Sequence, residues 1–323
     1  MMKKIFMSCF LLSLFTRGLG QTEKLLLPSD LKQQTIVTEP VTLSKGFFRA
    51  GLLMDYRIAD RFFNDSCSRE YFRESAFGSK SAYGITLQYG ISDRFEMYLM
   101  TEYLYSLQEV QNSETDAVTN ITVTTLDKRK GLGLGDSHLA LKYQFIREAA
   151  NKTSLTGRFE LTIPTGEKNP RNIKSENQYD LPVGDGTFAI GLNLLARRIA
   201  YPYSFSGYLG YRYNFNGKKI FSSVDQVERA FRFGNLLEAG INGNIHLNEW
   251  IVFGNEINFY NEAEGEIENT PTPLMPASWA ISYEPGLVFQ VHRFRVSESV
   301  RIPVKGRNVP ADPLYVLMAQ YVF

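Results

Sequence analysis

Cysteine is nearly missing from this chain of 323 residues: there are two, beside three histidines and two tryptophans. Cys9 lies in an apolar run at the amino terminus, so Cys67 stands alone in the rest of the chain. One thiol cannot form an internal disulfide, and stability has to come from another source. With so few histidines and cysteines, no group of them shows metal-ligand spacing, and no glycine loop that could cradle a phosphate precedes a helical pattern. Neither a metal nor an organic cofactor is expected. An excess of one charge is missing too. The 35 Lys and Arg stand against 34 Asp and Glu, which removes any electrostatic reason to seek nucleic acid as a partner. Past the first twenty residues no apolar run approaches a spanning length, and mean hydropathy is slightly negative, which excludes a bundle of membrane helices. What the chain holds in quantity is aromatic: 23 Phe and 18 Tyr, with 25 Gly. Membrane β-barrels consume rings in their two interfacial girdles, and the composition leans that way.

The first twenty residues read as an address. Lys3 and Lys4 precede an apolar run from Ile5 to Phe15, and Gly18, Leu19 and Gly20 stand ahead of Gln21. This is the pattern of a secretory signal peptide cleaved near Gly20. Cys9 is too early to carry a lipid at the cut. Cleavage removes Lys3, Lys4 and Arg17 and leaves 32 basic against 34 acidic side chains, a net of −2. The expected organisation is a signal peptide over 1–20, a periplasmic leader over 21–43 and a barrel over 44–323. The stretch from Gln21 to Pro40 is read as an unstructured leader in preference to a short plug in the lumen.

From Ser44 onward the hydrophobic period is two. Ala50, Leu52, Met54, Tyr56 and Ile58 alternate with Arg49, Gly51, Leu53, Asp55 and Arg57, so one strand face is apolar and the other charged. Leu139, Leu141, Tyr143 and Phe145 repeat the split against His138, Ala140, Lys142 and Gln144. Tyr203, Phe205, Leu209, Tyr211 and Tyr213 repeat it against Ser204, Ser206, Arg212 and Asn214. About twelve strands follow, an even number as single-chain bacterial barrels have. Soluble sandwiches alternate as well, so connection lengths must decide. They alternate long and short from the first strand on: long over 59–80, 106–131, 165–186, 216–232 and 261–277, short over 90–94, 147–152 and 197–202 and at Asn248-Glu249 and His292-Arg293, and intermediate over 305–313. Short periplasmic turns and long extracellular loops belong to an outer-membrane barrel, with both termini on the periplasmic side. The sequence thus predicts an all-β, transmembrane, antiparallel up-and-down barrel of the Gram-negative outer membrane. Tyr321 and Phe323 close the last strand in the manner of the signal that barrel-assembly machinery reads.

If the apolar face meets lipid, the other face lines the lumen. The expected pore-lining residues are Arg49, Asp55, Arg57, Glu96, Glu102, Lys142, Arg158, Glu160, Arg212, Glu238, Glu256, Glu284, Arg295 and Arg301. Interspersed signs argue against a strongly ion-selective ring. They suit a narrow hydrated pore or a salt-bridged filling of side chains. Gly51, Gly84, Gly191, Gly210, Gly240, Gly254 and Gly286 fall on the same face, where relief of crowding is favoured over space for a solute. Glu298 falls on the apolar face between Val296 and Val300. A register slip, a bulge near Pro303 or a place near the periplasmic interface would each accommodate it.

Gly133-Leu134-Gly135-Asp136 leads into one strand, Pro164-Thr165-Gly166 closes the next, and Gly184-Asp185-Gly186 and Gly210-Tyr211-Arg212-Tyr213 follow in order. With Gly90-Ile91-Ser92-Asp93-Arg94 as a first turn, this resembles the outer-membrane family labelled "MetA-pathway of phenol degradation" over about Ser44 to Phe215. The resemblance implies a transporter or channel for small, apolar or aromatic, solutes, with lipid, the assembly machinery and the solute as partners. The alternative is a non-conducting barrel that serves the envelope or binds partners. An enzyme is not expected. Gly135-Asp136-Ser137-His138 superficially matches a nucleophile motif, but Ser137 and His138 point to opposite faces of a strand and cannot share a proton. His246 and His292 fall at the periplasmic rim.

Overall fold

The computed structural model describes residues 40–71, 77–115, 122–147, 153–169, 178–221 and 227–323. Twelve long strands build a single sheet: β1 (Phe48–Ala59), β2 (Phe77–Ser92), β3 (Phe95–Thr115), β4 (Thr122–Ile146), β5 (Thr153–Ile163), β6 (Ala189–Ala200), β7 (Tyr203–Asn214), β8 (Leu236–His246), β9 (Ile251–Glu262), β10 (Ser278–Val291), β11 (Phe294–Arg307) and β12 (Leu314–Val322). Each pairs antiparallel with its neighbours in sequence. β12 returns to β1, with Arg49 opposite Val322 and Arg57 opposite Leu314, and the sheet closes. Closure satisfies every ladder group without water, which a bilayer requires.

Alternation dictates which side meets lipid. Leu52, Leu192 and Ile241 are 64%, 65% and 66% exposed on the outer face. No second sheet or helix layer covers them among the described residues. Aromatic rings gather on that face near the short turns, as at Tyr89, Phe145, Tyr203, Trp250 and Tyr321. A second set, including Tyr105, Phe188, Tyr213 and Phe215, stands near the long loops. These are the two girdles of an outer-membrane barrel. Glu298 is exposed on the lipid side between Leu287 and Leu317. The register is therefore the one read from the sequence, and the bulge expected near Pro303 is present, at Val304. Glu298 lies roughly 10 Å along the axis from the short turn at 292–293, where a carboxylate reaches the interface at modest cost.

Local chemistry sets the turns. Asn248 Oδ1 accepts the backbone N–H groups of Trp250 and Ile251, each at 2.8 Å, and His292 takes a left-handed φ of 55°. The long connection over 106–131 turns out to be mostly strand. β3 and β4 continue past the membrane as a hairpin paired to Thr115 and Thr122. Gln178–Asp180 adds parallel to β4 at Lys128–Lys130. Two small sheets sit among the other long loops. One joins Gly217–Ile220, Glu228–Arg232, Glu266–Ile267 and Thr270–Pro271, and the other Arg61–Phe63, Arg69–Tyr71 and Val309–Pro310.

Candidate functional site in the barrel lumen

All fourteen charged positions expected on the inner face are buried or half-buried. They form two tiers. Near the short turns the side chains are packed. Arg49 Nη1 donates to Gln88 Oε1 at 2.9 Å. Lys142 Nζ lies 3.2 Å from Glu96 Oε1, with the two side chains 4% and 0% exposed, and Arg295 is 7% exposed. Removing either member of a pair buried this deeply would leave an uncompensated charge.

Further up the strands the tier loosens to half-buried groups, with Glu284 as its one fully buried carboxylate. That carboxylate accepts from Arg301 Nε at 2.7 Å, Ser299 Oγ at 2.6 Å and Asn258 Nδ2 at 3.2 Å. Arg158 Nε pairs with Glu160 Oε1 at 2.6 Å, and its guanidinium carbon stands 5.4 Å from the centre of the Tyr98 ring. Asp55 accepts the N–H of Ala82 at 3.0 Å. Glu256 accepts weakly from Asn242 Nδ2 at 3.5 Å. Arg57, Glu102, Arg212 and Glu238 complete this tier from β1, β3, β7 and β8.

Sequence reasoning missed the neutral members of the network. Tyr208 Oη donates to Asn258 Oδ1 at 2.8 Å. Its ring reaches β9 across β8 because Gly240 has no side chain: a Cβ there would lie 2.3 Å from Tyr208 Cε1. The space over that glycine holds a ring, in keeping with relief of crowding. The signal for Tyr208 was its parity with Ser206 and Gly210. Residues 40–43 were also missed, and they are buried inside the short-turn end.

The motif residues converge at the long-loop end. β4 carries a bulge in which Gly135 and Asp136 together oppose Glu102, and this turns the Asp136 carboxylate inward. Oδ1 accepts the N–H of Gly166 at 3.0 Å and Oδ2 that of Asp185 at 2.8 Å. Thr165 Oγ1 donates to the Gly135 carbonyl at 2.9 Å. Gly166 and Gly184 touch backbone to backbone, and a Cβ on Gly184 would lie 2.6 Å from Gly166 C. Gly186 holds a left-handed φ of 79°. Pro164 ends β5 just before this cluster, and Gly133 lies at its edge in contact range of Val183. Above it, burial holds Lys219 below the usual lysine range, against the pull of Asp185 and Asp136. Ser137 Oγ meets Thr165 Oγ1 at 3.0 Å, whereas His138 Nδ1 meets Thr162 Oγ1 at 3.2 Å on the other face. The pair does not form a catalytic dyad.

No protein-family model matches this sequence, and no curated protein matches it. Among solved structures, the crystal structure of an outer-membrane channel from Pseudomonas putida F1 superposes with a TM-score of 0.65 at 12% identity, over 90% of this chain and 100% of that one. The translocator domain of the autotransporter NalP from Neisseria meningitidis reaches 0.48 at 9% identity, covering 85% and 88%. The CymD monoaromatic hydrocarbon channel reaches 0.45 at 9%, covering 87% and 88%. The fold is that of an outer-membrane β-barrel, and the outer membrane is where such a closed twelve-stranded sheet resides.

Proposed function

We propose that this barrel is a channel or transporter that passes small solutes across the outer membrane, with the fourteen inner-face charges as its pore lining. The observation that carries the reading is the closed twelve-stranded sheet whose inner face carries cations and carboxylates, most of them only half-buried. Twelve strands enclose more room than the side-chain-filled interior of an eight-stranded barrel and less than a sixteen-stranded porin. The solute class, small and apolar or aromatic, follows from the likeness to the MetA-pathway family. The convergence of Asp136, Gly166, Gly184 and Gly186 supports that assignment by giving its motif a common structural role. The same reading makes residues 1–20 a cleaved signal peptide and 21–43 a periplasmic leader, and gives Tyr321 and Phe323 the role of assembly signal.

Purified, refolded protein tests this in planar bilayers and in liposome swelling with sugars and phenol-sized solutes of matched osmolarity. Defined conductance steps or solute-dependent swelling are expected. Silence in both, with and without residues 21–43, would favour a non-conducting barrel.

A further inference from the structure

The chain enters its own lumen before it becomes a strand. Val41, Thr42 and Leu43 are 3%, 2% and 1% exposed, yet they belong to no sheet. Hydrogen bonds from Gly46 N–H to the Gly90 carbonyl at 2.8 Å, and from Gly90 N–H to the Phe47 carbonyl at 3.0 Å, fasten the segment to the end of β2. From there it runs round the inside of the wall at the short-turn end. Leu43 N–H donates to Glu96 Oε2 on β3 at 2.7 Å, and Thr42 Oγ1 donates to Gln144 Oε1 on β4 at 3.0 Å. The Pro40 carbonyl accepts from Ser154 Oγ on β5 at 2.6 Å and from Thr156 Oγ1. Its anchors thus step round the wall from β2 to β5.

The fastening is reversible in kind. Glu96 divides its two oxygens between the Lys142 ammonium and the Leu43 N–H, so the ion pair survives when the segment leaves. Ser154 and Gln144 are bonded to each other at 2.7 Å and keep that bond without Pro40 or Thr42. The groups that lose a partner, Gln144 Oε1 and the Ser154 and Thr156 hydroxyls, face the lumen, where entering water takes the place of Thr42 and Pro40.

We propose that residues 40–43 are a gate strap that shuts the periplasmic mouth of the resting channel and must swing off β3 to β5 for conduction. The proposal rests on the channel reading above. The test uses the full mature chain carrying Thr42→Cys and Gln144→Cys in a Cys67→Ser background, joined by a short bifunctional thiosulfonate linker that reductant removes. Heat-modifiable mobility confirms that each form is folded. With the linker in place, conductance should stay at a low, quiet level. Reduction should raise mean current at least two-fold, and deletion of residues 21–43 should give the raised level with or without linker. Thr156→Val, which removes one donor to the Pro40 carbonyl and leaves the Glu96–Lys142 pair intact, should lengthen open times two-fold or more. Equal currents in linked, reduced and truncated forms would overturn the gate while leaving the channel standing. Silence in every form, the truncated one included, would overturn both.

Discussion

Asp136 ties together three stretches of chain, since the N–H groups it accepts belong to residues 30 and 49 positions away. Hydrogen bonds to a charged acceptor contribute about 1.5–3 kcal/mol each. Asp136→Ala should lower the stability of the folded barrel by about 2 kcal/mol or more, and Asp136→Asn by less, as read from urea midpoints of the heat-modifiable band. Asp312 does a related job at the opposite side of the mouth. It accepts Asp60 N–H at 2.9 Å, Arg61 N–H at 2.8 Å and Arg61 Nε at 2.7 Å. Burial pushes its carboxyl up, but these donors outweigh burial and hold it below the usual range. A lowered value means that the folded state favours the carboxylate. This stabilisation is complete above the unfolded value, about pH 4, and is lost as pH falls through the lower folded value. Protection factors of the Arg61, Phe62, Phe63 and Val309 amides, corrected for the intrinsic pH dependence of exchange, should therefore fall on acidification below that point in the wild type. In Asp312→Asn they should be low and flat across the same window. The backbone donors to Asp136 and Asp312 could not be foreseen from spacing, because backbone N–H groups carry no residue signature.

Strands were legible because a period of two is repeated over the whole chain and loop lengths alternate with it. The bulge at Gly135-Asp136 was legible only in part. Leu132 and Leu134 share one parity while Leu139, Leu141 and Tyr143 share the other, and that switch requires one extra residue between them. Residues 40–43 gave no periodic signal at all, since four residues bonded to side chains from β3 to β5 leave no local pattern. The last strand makes its own test. Phe323 N–H donates to the Phe48 carbonyl at 2.8 Å, and the two rings lie 5.7 Å apart, so the terminal residue sits on the closing seam. Deleting Phe323 should reduce the yield of folded barrel in outer membranes several-fold, with unfolded chain accumulating in the periplasm. Phe323→Tyr, which keeps the ring, should assemble normally.

Across the molecule the fourteen inner charges divide into seven basic and seven acidic residues. A lumen so balanced has no standing preference for either sign. In a potassium chloride gradient the reversal potential should lie near zero. Arg57→Gln with Arg212→Gln leaves the Arg158–Glu160 and Arg301–Glu284 pairs intact and should move the reversal potential toward that of a cation-preferring pore. The β3–β4 hairpin carries a different consequence. Strands of 21 and 25 residues, tilted as barrel strands are, outreach the apolar band by roughly 25 Å. The paired Thr115 and Thr122 therefore stand clear of the lipid, so that a label placed on either would stay open to water when the barrel sits in a bilayer.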